Sequence, residues 1–421
     1  MKKVFIYSPY ICIENRLDGS LFKEFFKRNG WKIVNDASEA DLILFNSCAF
    51  NKIEEDYSIK KIIQFKNEKN PGSRLVVCGC LPSINKEKLD NCFNGITFGP
   101  TSIHKLNELI DAKIGISEIT SNYLPEDMSR YLSRKTQILN KIRIYTTLFF
   151  MNLKKYIDIP DVLERRFCPY ISFEDPKMFY IKISTGCLNN CSYCAIKRAK
   201  GNVKSKPVKK IINEFRNGLK SGYKLFVLCG DDAGSYGRDI NTNLAFLLKE
   251  MLKEGGDFKL FIRYLEPNWL ISMFPDLKEL FRSNKIAFIN CPVQSGSNKI
   301  IKLMNRNYDI EKLKKCFYEL RRDVPSLFLM TYIMVGFPGE TDKDFNLTVK
   351  FLKEVKFDEA IVFEYTNRPK TISSMMKNQV PDSVKKKRLK ILKQDNIRNY
   401  LEYTYSHFPL KILAKEGVII K

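Results

Sequence analysis

Histidine is nearly missing from this chain: His104 and His407 are the only two among 421 residues. That scarcity makes histidine-based zinc sites and histidine acid–base catalysis poor explanations of its chemistry. No apolar stretch reaches the ~20 residues a bilayer-crossing helix needs. The longest near the middle, Ile144 to Met151, reads as buried core or interfacial packing, so no membrane span is expected. No signal peptide is expected either, because Met1-Lys2-Lys3 runs straight into the strand-like Val4-Phe5-Ile6-Tyr7. The expected location is the cytoplasm, where the 12 cysteines stay reduced and form no disulfide framework. Fixed-period repeats and low-complexity tracts are absent. Acidic residues are outnumbered, 47 against 71 basic ones, for a formal net charge of +24. Such an excess can neutralise phosphates, but lysine, asparagine and isoleucine are abundant throughout, as a base-composition bias would also produce. A polyanionic partner and a plain solvated surface both stay open.

What is present is alternation. In the first hundred residues short apolar runs (Val4–Tyr7, Leu42–Phe45, Leu75–Val77) alternate with helical patterns (Leu21–Arg28, Ile53–Phe65), which predicts a parallel sheet covered by helices. Residues 101–176 are less regular and read as a connector. From Met178 the pattern resumes, with strands expected at Phe179–Ser184, Leu225–Leu228, Leu260–Tyr264, Ile286–Asn290, Phe328–Val335 and Ala360–Phe363. Helices are expected at Val208–Leu219, Leu244–Leu252, Ile310–Arg321 and Lys343–Glu354. Six strand–helix units suggest a partial parallel barrel, with its site where the strands end. Asp382-Ser383 can cap a last helix. The expected fold is therefore α/β. A flavodoxin-like parallel-sheet domain (1–100) and the connector (101–176) precede a partial (β/α)6 TIM barrel (177–375) and a C-terminal helix with a short stub (376–421).

The chemistry concentrates in Cys187-Leu188-Asn189-Asn190-Cys191-Ser192-Tyr193-Cys194, directly after the first barrel strand. Three thiolates so close can hold three irons of a [4Fe–4S] cube and leave the fourth open to a ligand. A zinc knuckle would need a nearby fourth ligand that is not there, and chance clustering is the other alternative. In the N-terminal domain Cys12, Cys48 and Cys80 each follow an expected strand, which would bring them to one edge of a parallel sheet. Three small buried hydrophobes is the competing reading. Cys78, Cys92, Cys168, Cys229, Cys291 and Cys316 match no ligand pattern and default to packing.

The cysteine loop resembles the signature of radical S-adenosylmethionine enzymes, and the similarity narrows to the methylthiotransferases over nearly the whole chain. The matching segments are Leu228-Cys229-Gly230-Asp231-Asp232-Ala233-Gly234-Ser235-Tyr236-Gly237, Pro292-Val293-Gln294-Ser295-Gly296-Ser297 with Met304-Asn305-Arg306, and Val335-Gly336-Phe337-Pro338-Gly339-Glu340-Thr341. Cys12-Ile13-Glu14-Asn15-Arg16-Leu17-Asp18, Asn46-Ser47-Cys48 and Gly79-Cys80 resemble the family's C-x2-N-x2-D, N-T-C and G-C.

The resemblance implies two [4Fe–4S] clusters, one on Cys187, Cys191 and Cys194 and an auxiliary one on Cys12, Cys48 and Cys80. It implies S-adenosylmethionine held near Tyr193, Gly230, Asp231, Gln294, Ser295 and Gly336, and an electron donor such as flavodoxin or ferredoxin. One cosubstrate would methylate a sulfur associated with the auxiliary cluster. The radical from a second would remove hydrogen from an unactivated carbon, which then captures the methylthio group. The chain departs from the pattern at Ile11 (usually glycine), Tyr332 (aspartate), Lys197 (proline) and Lys370 (glycine). Most family members also end in a small β-barrel, the TRAM domain, of which this chain is expected to hold only a strand or so. A tRNA adenosine is favoured as substrate by the basic surface, since single-stranded loops can splay a base into a pocket. A peptide or protein side chain is favoured by the missing barrel and the connector, and the balance tips slightly that way. Formation of a different bond in a peptide, and a non-catalytic iron–sulfur protein, are the alternatives.

Overall fold

The computed structural model describes residues 1–9, 12–124 and 178–393. Most of the expected connector, the stub after 393, Ile11 and Cys168 lie outside the described residues.

Five short strands build the N-terminal sheet: β1 (Lys3–Tyr7), β2 (Lys32–Ile33), β3 (Leu42–Ser47), β4 (Arg74–Gly79) and β5 (Ile96–Thr97). All pair in parallel in the order β2-β1-β3-β4-β5, the flavodoxin-like arrangement, whose ligand crevice lies at the β1/β3 switch point. Every residue of β3 is buried, as a central strand covered on both faces requires. The helix Ile13–Arg28 starts directly after Cys12, well before the expected Leu21. Its first turns bury Glu14, Asn15 and Arg16 between Ile13 and Leu17, so the polar residues obscured the apolar spacing in the sequence.

The second sheet has six parallel strands: β6 (Met178–Lys182), β9 (Leu225–Cys229), β10 (Lys259–Ile262), β11 (Ile286–Asn290), β12 (Phe328–Val335) and β13 (Glu359–Glu364), with β6 and β13 as its edges. Between β6 and β9 a small antiparallel pair, β7 (Ser184–Thr185) with β8 (Lys204–Ser205), brackets the cysteine loop. The expected first barrel strand thus breaks at Ile183, and the third stops before Tyr264, where φ turns to +57°. Helices Val208–Lys220, Leu244–Leu252, Ile310–Asp323 and Asp342–Val355 pack the main core against one face. On the opposite face Phe261, Phe288 and Phe328 stack with centroids 5.8 and 5.6 Å apart. Ile13 and Leu17 pack there too, against Met178, Tyr180, Val227 and Cys229.

Charge joins the two domains as well. Lys182 contacts Asp18 at 2.5 Å and Glu14 at 3.7 Å. Arg368 pairs with Glu55 at 2.6 Å and donates to the Ala49 carbonyl at 2.9 Å. A last helix begins at 382 and is described as far as 393. No helix among the described residues is long and apolar enough to cross a membrane.

Candidate active site

Cys187, Cys191 and Cys194 sit in the irregular segment between β7 and the helix Ile196–Lys200. Backbone bonds hold that segment in place. The Cys187 N–H donates to Gly201 O (3.2 Å), Cys194 N–H to Cys191 O (3.0 Å), Ser192 N–H to Met304 O (2.9 Å) and Ser373 N–H to Ser192 O (2.9 Å). Asp231 accepts the Gly186 N–H at 2.7 Å. Gly186 has φ +78°, and a Cβ there would stand 2.1 Å from Asn202 O, so only glycine makes this entry turn. Lys197, in the position where proline was expected, caps the Cys187 carbonyl and reaches Asn202 Oδ1 at 2.8 Å.

Burial raises all three thiols. Asp232 adds to the rise at Cys187, and Cys191 is pushed up to about 11 despite Arg306 beside it. Each thiol keeps some accessible surface. Thiols in such a place ionise readily only against a metal charge, because coordination deprotonates a thiol outright.

Around the loop, Arg306 donates to Tyr193 Oη at 3.1 Å and to Glu266 at 3.0 Å, and Phe337 meets the Tyr193 ring edge-on at 6.3 Å. Asp232 accepts from the Trp269 indole at 2.9 Å. Its carboxyl is raised to about 7 by burial and then by Glu266. At Gly230 an added Cβ would meet Ser184 Oγ at 2.7 Å. Gln294 is held at φ +72° by bonds to the β12 backbone, from its N–H to Tyr332 O (2.7 Å) and from Met334 N–H to its own O (2.9 Å). Its buried Oε1 has no partner among the described residues. Ser295 is fully buried and engaged with Thr348 (3.2 Å) and the Ser297 N–H (3.2 Å). The Gly336 N–H donates to Glu340 at 2.7 Å, and Glu340 in turn pairs with Arg388.

Cys12, Cys48 and Cys80 follow β1, β3 and β4 and come together at the carboxyl edge of the first sheet. Asn15 and Asn46 exchange bonds with each other's carbonyls at 3.0 and 2.9 Å, tying the start of the first helix to the end of β3. Burial raises each thiol, Cys80 to about 12, and the three act on one another electrostatically. Asp231 faces Cys12, Cys80 and Cys194, so it is shared by both sets. Lys200, buried and 3.7 Å from Asp18, faces Asp231 and Cys80.

Among the described residues no three His, Cys, Asp or Glu side chains converge tightly enough for a single metal ion. Cys78, Cys229, Cys291 and Cys316 are buried, as expected for packing; Cys92 is half-buried. Sequence reasoning missed Lys200, Asp232 and Glu266 as members of this site. In a chain this rich in lysine, Lys200 carried no signal, and the two carboxylates gain meaning only from their neighbours.

Residues 181–352 match the Radical SAM superfamily and residues 4–99 match the Uncharacterized protein family UPF0004. Over 413 residues the chain is 31% identical to a Pyrococcus abyssi protein called "Probable threonylcarbamoyladenosine tRNA methylthiotransferase", covering 98% of this chain and 88% of that one. It is 30% identical over 393 residues to the "Ribosomal protein uS12 methylthiotransferase RimO" of Chlamydia felis, covering 92% and 77%. The solved structure of the radical S-adenosylmethionine methyltransferase TsrM from Kitasatospora setae shares the fold, with a TM-score of 0.57 at 14% identity over 89% of this chain and 77% of that one.

Proposed function

Given that the chain belongs to the radical S-adenosylmethionine methylthiotransferase family, we propose that it carries two [4Fe–4S] clusters and attaches a methylthio group to an unactivated C–H carbon. The substrate is a tRNA adenosine or a ribosomal-protein side chain, as in the names of its relatives. The observation that carries the two-cluster reading is the shared position of Asp231, which faces Cys194 of one set and Cys12 and Cys80 of the other.

Cys187, Cys191 and Cys194 would hold one cluster with an iron left open, and Cys12, Cys48 and Cys80 the auxiliary one. When bound, the clusters and S-adenosylmethionine supply the electron, the radical and the sulfur. A one-electron donor such as flavodoxin or ferredoxin would reduce them. The donor sets fit: each is three neighbouring cysteines whose thiols burial keeps protonated and whose thiolates would repel one another until a metal cluster supplied positive charge.

The remaining residues bind and shield. Gln294 Oε1 and the Gly230–Asp231 turn offer acceptors to the cosubstrate's polar end, and Arg306 fixes Tyr193 for its adenine. Lys200 offsets negative charge between the two sets. Ile13 and Leu17 cover the inner face of the barrel, which keeps water from a reactive radical.

The test is iron and acid-labile sulfide content, with Mössbauer spectra, on the anaerobically reconstituted chain and on a Cys187→Ala/Cys191→Ala/Cys194→Ala variant. The wild type is expected to hold two clusters and the variant one. A variant without any cluster removes Cys12, Cys48 and Cys80 as ligands and with them the methylthiotransferase mechanism.

A further inference from the structure

Large apolar side chains scattered singly over a surface need no explanation, but several gathered in one place do. Four gather over the cysteine loop. Leu188 belongs to the loop itself, Leu303 ends the helix Asn298–Leu303, and Ile372 and Met375 bound the short turn Ile372–Met375. All are exposed, Ile372 by 57% and Met375 by 74%. Their segments converge on the peptide that follows Cys191. The Ser192 hydroxyl donates to Leu303 O (2.8 Å) and its N–H to Met304 O (2.9 Å), while its own O accepts the Ser373 N–H (2.9 Å). Asn305 Nδ2 reaches Asn190 O at 2.8 Å. The cluster chemistry uses none of the four apolar side chains.

The rim of this patch is basic. Lys302 adjoins Leu303 in the chain. Lys377 lies beside Leu303 too, because Asn378 O accepts the Gly339 N–H at 2.7 Å and a Cβ added at Gly339 would stand 3.2 Å from Leu303 Cδ1. Arg198 donates to Pro369 O at 2.6 Å, next to Lys370, and faces Cys194. All four cations are exposed, and among the described residues none has a carboxylate within ion-pair distance. Lys370 holds φ +58° where the family resemblance led us to expect glycine. A left-handed backbone is free of strain for glycine and strained for lysine, so the charge is present despite the turn.

We propose that this patch is the docking surface of the one-electron donor, a small acidic carrier protein whose carboxylates meet Arg198, Lys302, Lys370 and Lys377. The proposal rests on the reading of Cys187, Cys191 and Cys194 as holding a reducible cluster. The cluster gains the one electron that the carrier loses, and no bond forms or breaks. Electron tunnelling falls exponentially with distance, so a carrier has to dock where cluster ligands approach the surface, and exposed Leu188 is the residue after Cys187. An apolar centre inside a polar rim is the anatomy of a protein–protein contact. Its small size suits the weak, brief encounters of electron transfer, and opposite charges speed such encounters. RNA would pair its phosphates with the rim but leave the centre bare, because none of the four side chains is aromatic and single strands bind by stacking bases on rings.

The test follows cluster reduction in the anaerobically reconstituted full chain by stopped-flow absorbance. The reductant is dithionite or one of two reduced acidic carriers, a bacterial flavodoxin and a plant-type ferredoxin. The measurements use about 0.1 M salt, where charges farther apart than ~10 Å are largely screened. The faster carrier should lose roughly 10-fold or more of its rate in Met375→Glu and in Lys370→Glu/Lys377→Glu, and its wild-type rate should fall further as salt is added. Lys32→Glu, at the amino edge of the first sheet, should change that rate by no more than about 2-fold. Dithionite should reduce every variant at the wild-type rate. Carrier rates that survive both patch variants overturn the proposal. So does an equal fall with dithionite, which would mean that the patch shapes the cluster and docks nothing. Loss of tRNA binding in the double variant at an unchanged carrier rate gives the surface to RNA instead. Reduction by dithionite and by neither carrier refutes the docking surface alone. A wild type in which dithionite reduces no cluster beyond that of the Cys187→Ala/Cys191→Ala/Cys194→Ala variant refutes the cluster reading and the docking surface with it.

Discussion

Asp344 shows how a single carboxylate can hold an element in place far from the chemistry. It accepts from the Thr341 N–H and hydroxyl (2.9 and 2.6 Å), from Ser297 Oγ (2.8 Å) and from Lys299 (2.7 Å). It thereby closes a capping box on the helix Asp342–Val355 and ties that helix to the Gln294 turn. Burial pushes its carboxyl up, but the bonds from Lys299, Thr341 and Ser297 outweigh this and hold it below the usual carboxylate range. A depressed acid contributes stability above the unfolded pKa of about 3.9, and that contribution fades as pH falls through and below it. Asp344→Asn should therefore cost about 1 kcal/mol at neutral pH and progressively less as pH falls below about 4 toward 2, as read from denaturant melts at neutral pH and near pH 2. An equal cost at the two pH values would refute the electrostatic account. None of this was legible in the sequence, because Ser297 and Lys299 reach Asp344 from a different strand–helix unit.

Elements place the cysteines. β4 ends at Gly79, whose φ of +91° delivers Cys80 to the sheet edge; a Cβ there would stand 2.3 Å from Ser47 O. Gly79→Ala is expected to displace Cys80, halving the iron content while the barrel cluster's Mössbauer signal persists. Full retention of iron would show that this turn does not control the auxiliary site. The long helices of the barrel were legible because each carries an apolar stripe at helical spacing, as Ile310, Leu313, Phe317 and Leu320 do. The start of the first helix was not, since its inward residues mix Ile13 and Leu17 with buried charges satisfied by the other domain: Glu14 and Asp18 both meet Lys182.

At the scale of the whole molecule, the two domains meet through ion pairs that run from one to the other. Arg368 and Glu55 are both nearly inaccessible and 2.6 Å apart, and Glu55 also binds Lys88 at 3.0 Å. Arg368→Ala leaves the buried Glu55 with only Lys88 and Asn85 of its own domain, so a loss of about 2 kcal/mol is expected, with the N-terminal domain melting separately in a guanidinium titration. A single transition at the wild-type midpoint would mean that the pair is not what joins the domains. The sequence by itself determined the cysteine loop, the strands that precede each N-terminal cysteine and the alternation that builds two parallel sheets, because ligand spacing and hydrophobic period are local properties. Only the tertiary structure decided that Asp231 stands between the two cysteine sets, that Lys200 is buried beside them and that Tyr264 lies against Tyr332. Those neighbours come from separate strands and separate domains, and sheet order and domain packing, which bring them together, leave no mark on the residues adjacent in the chain.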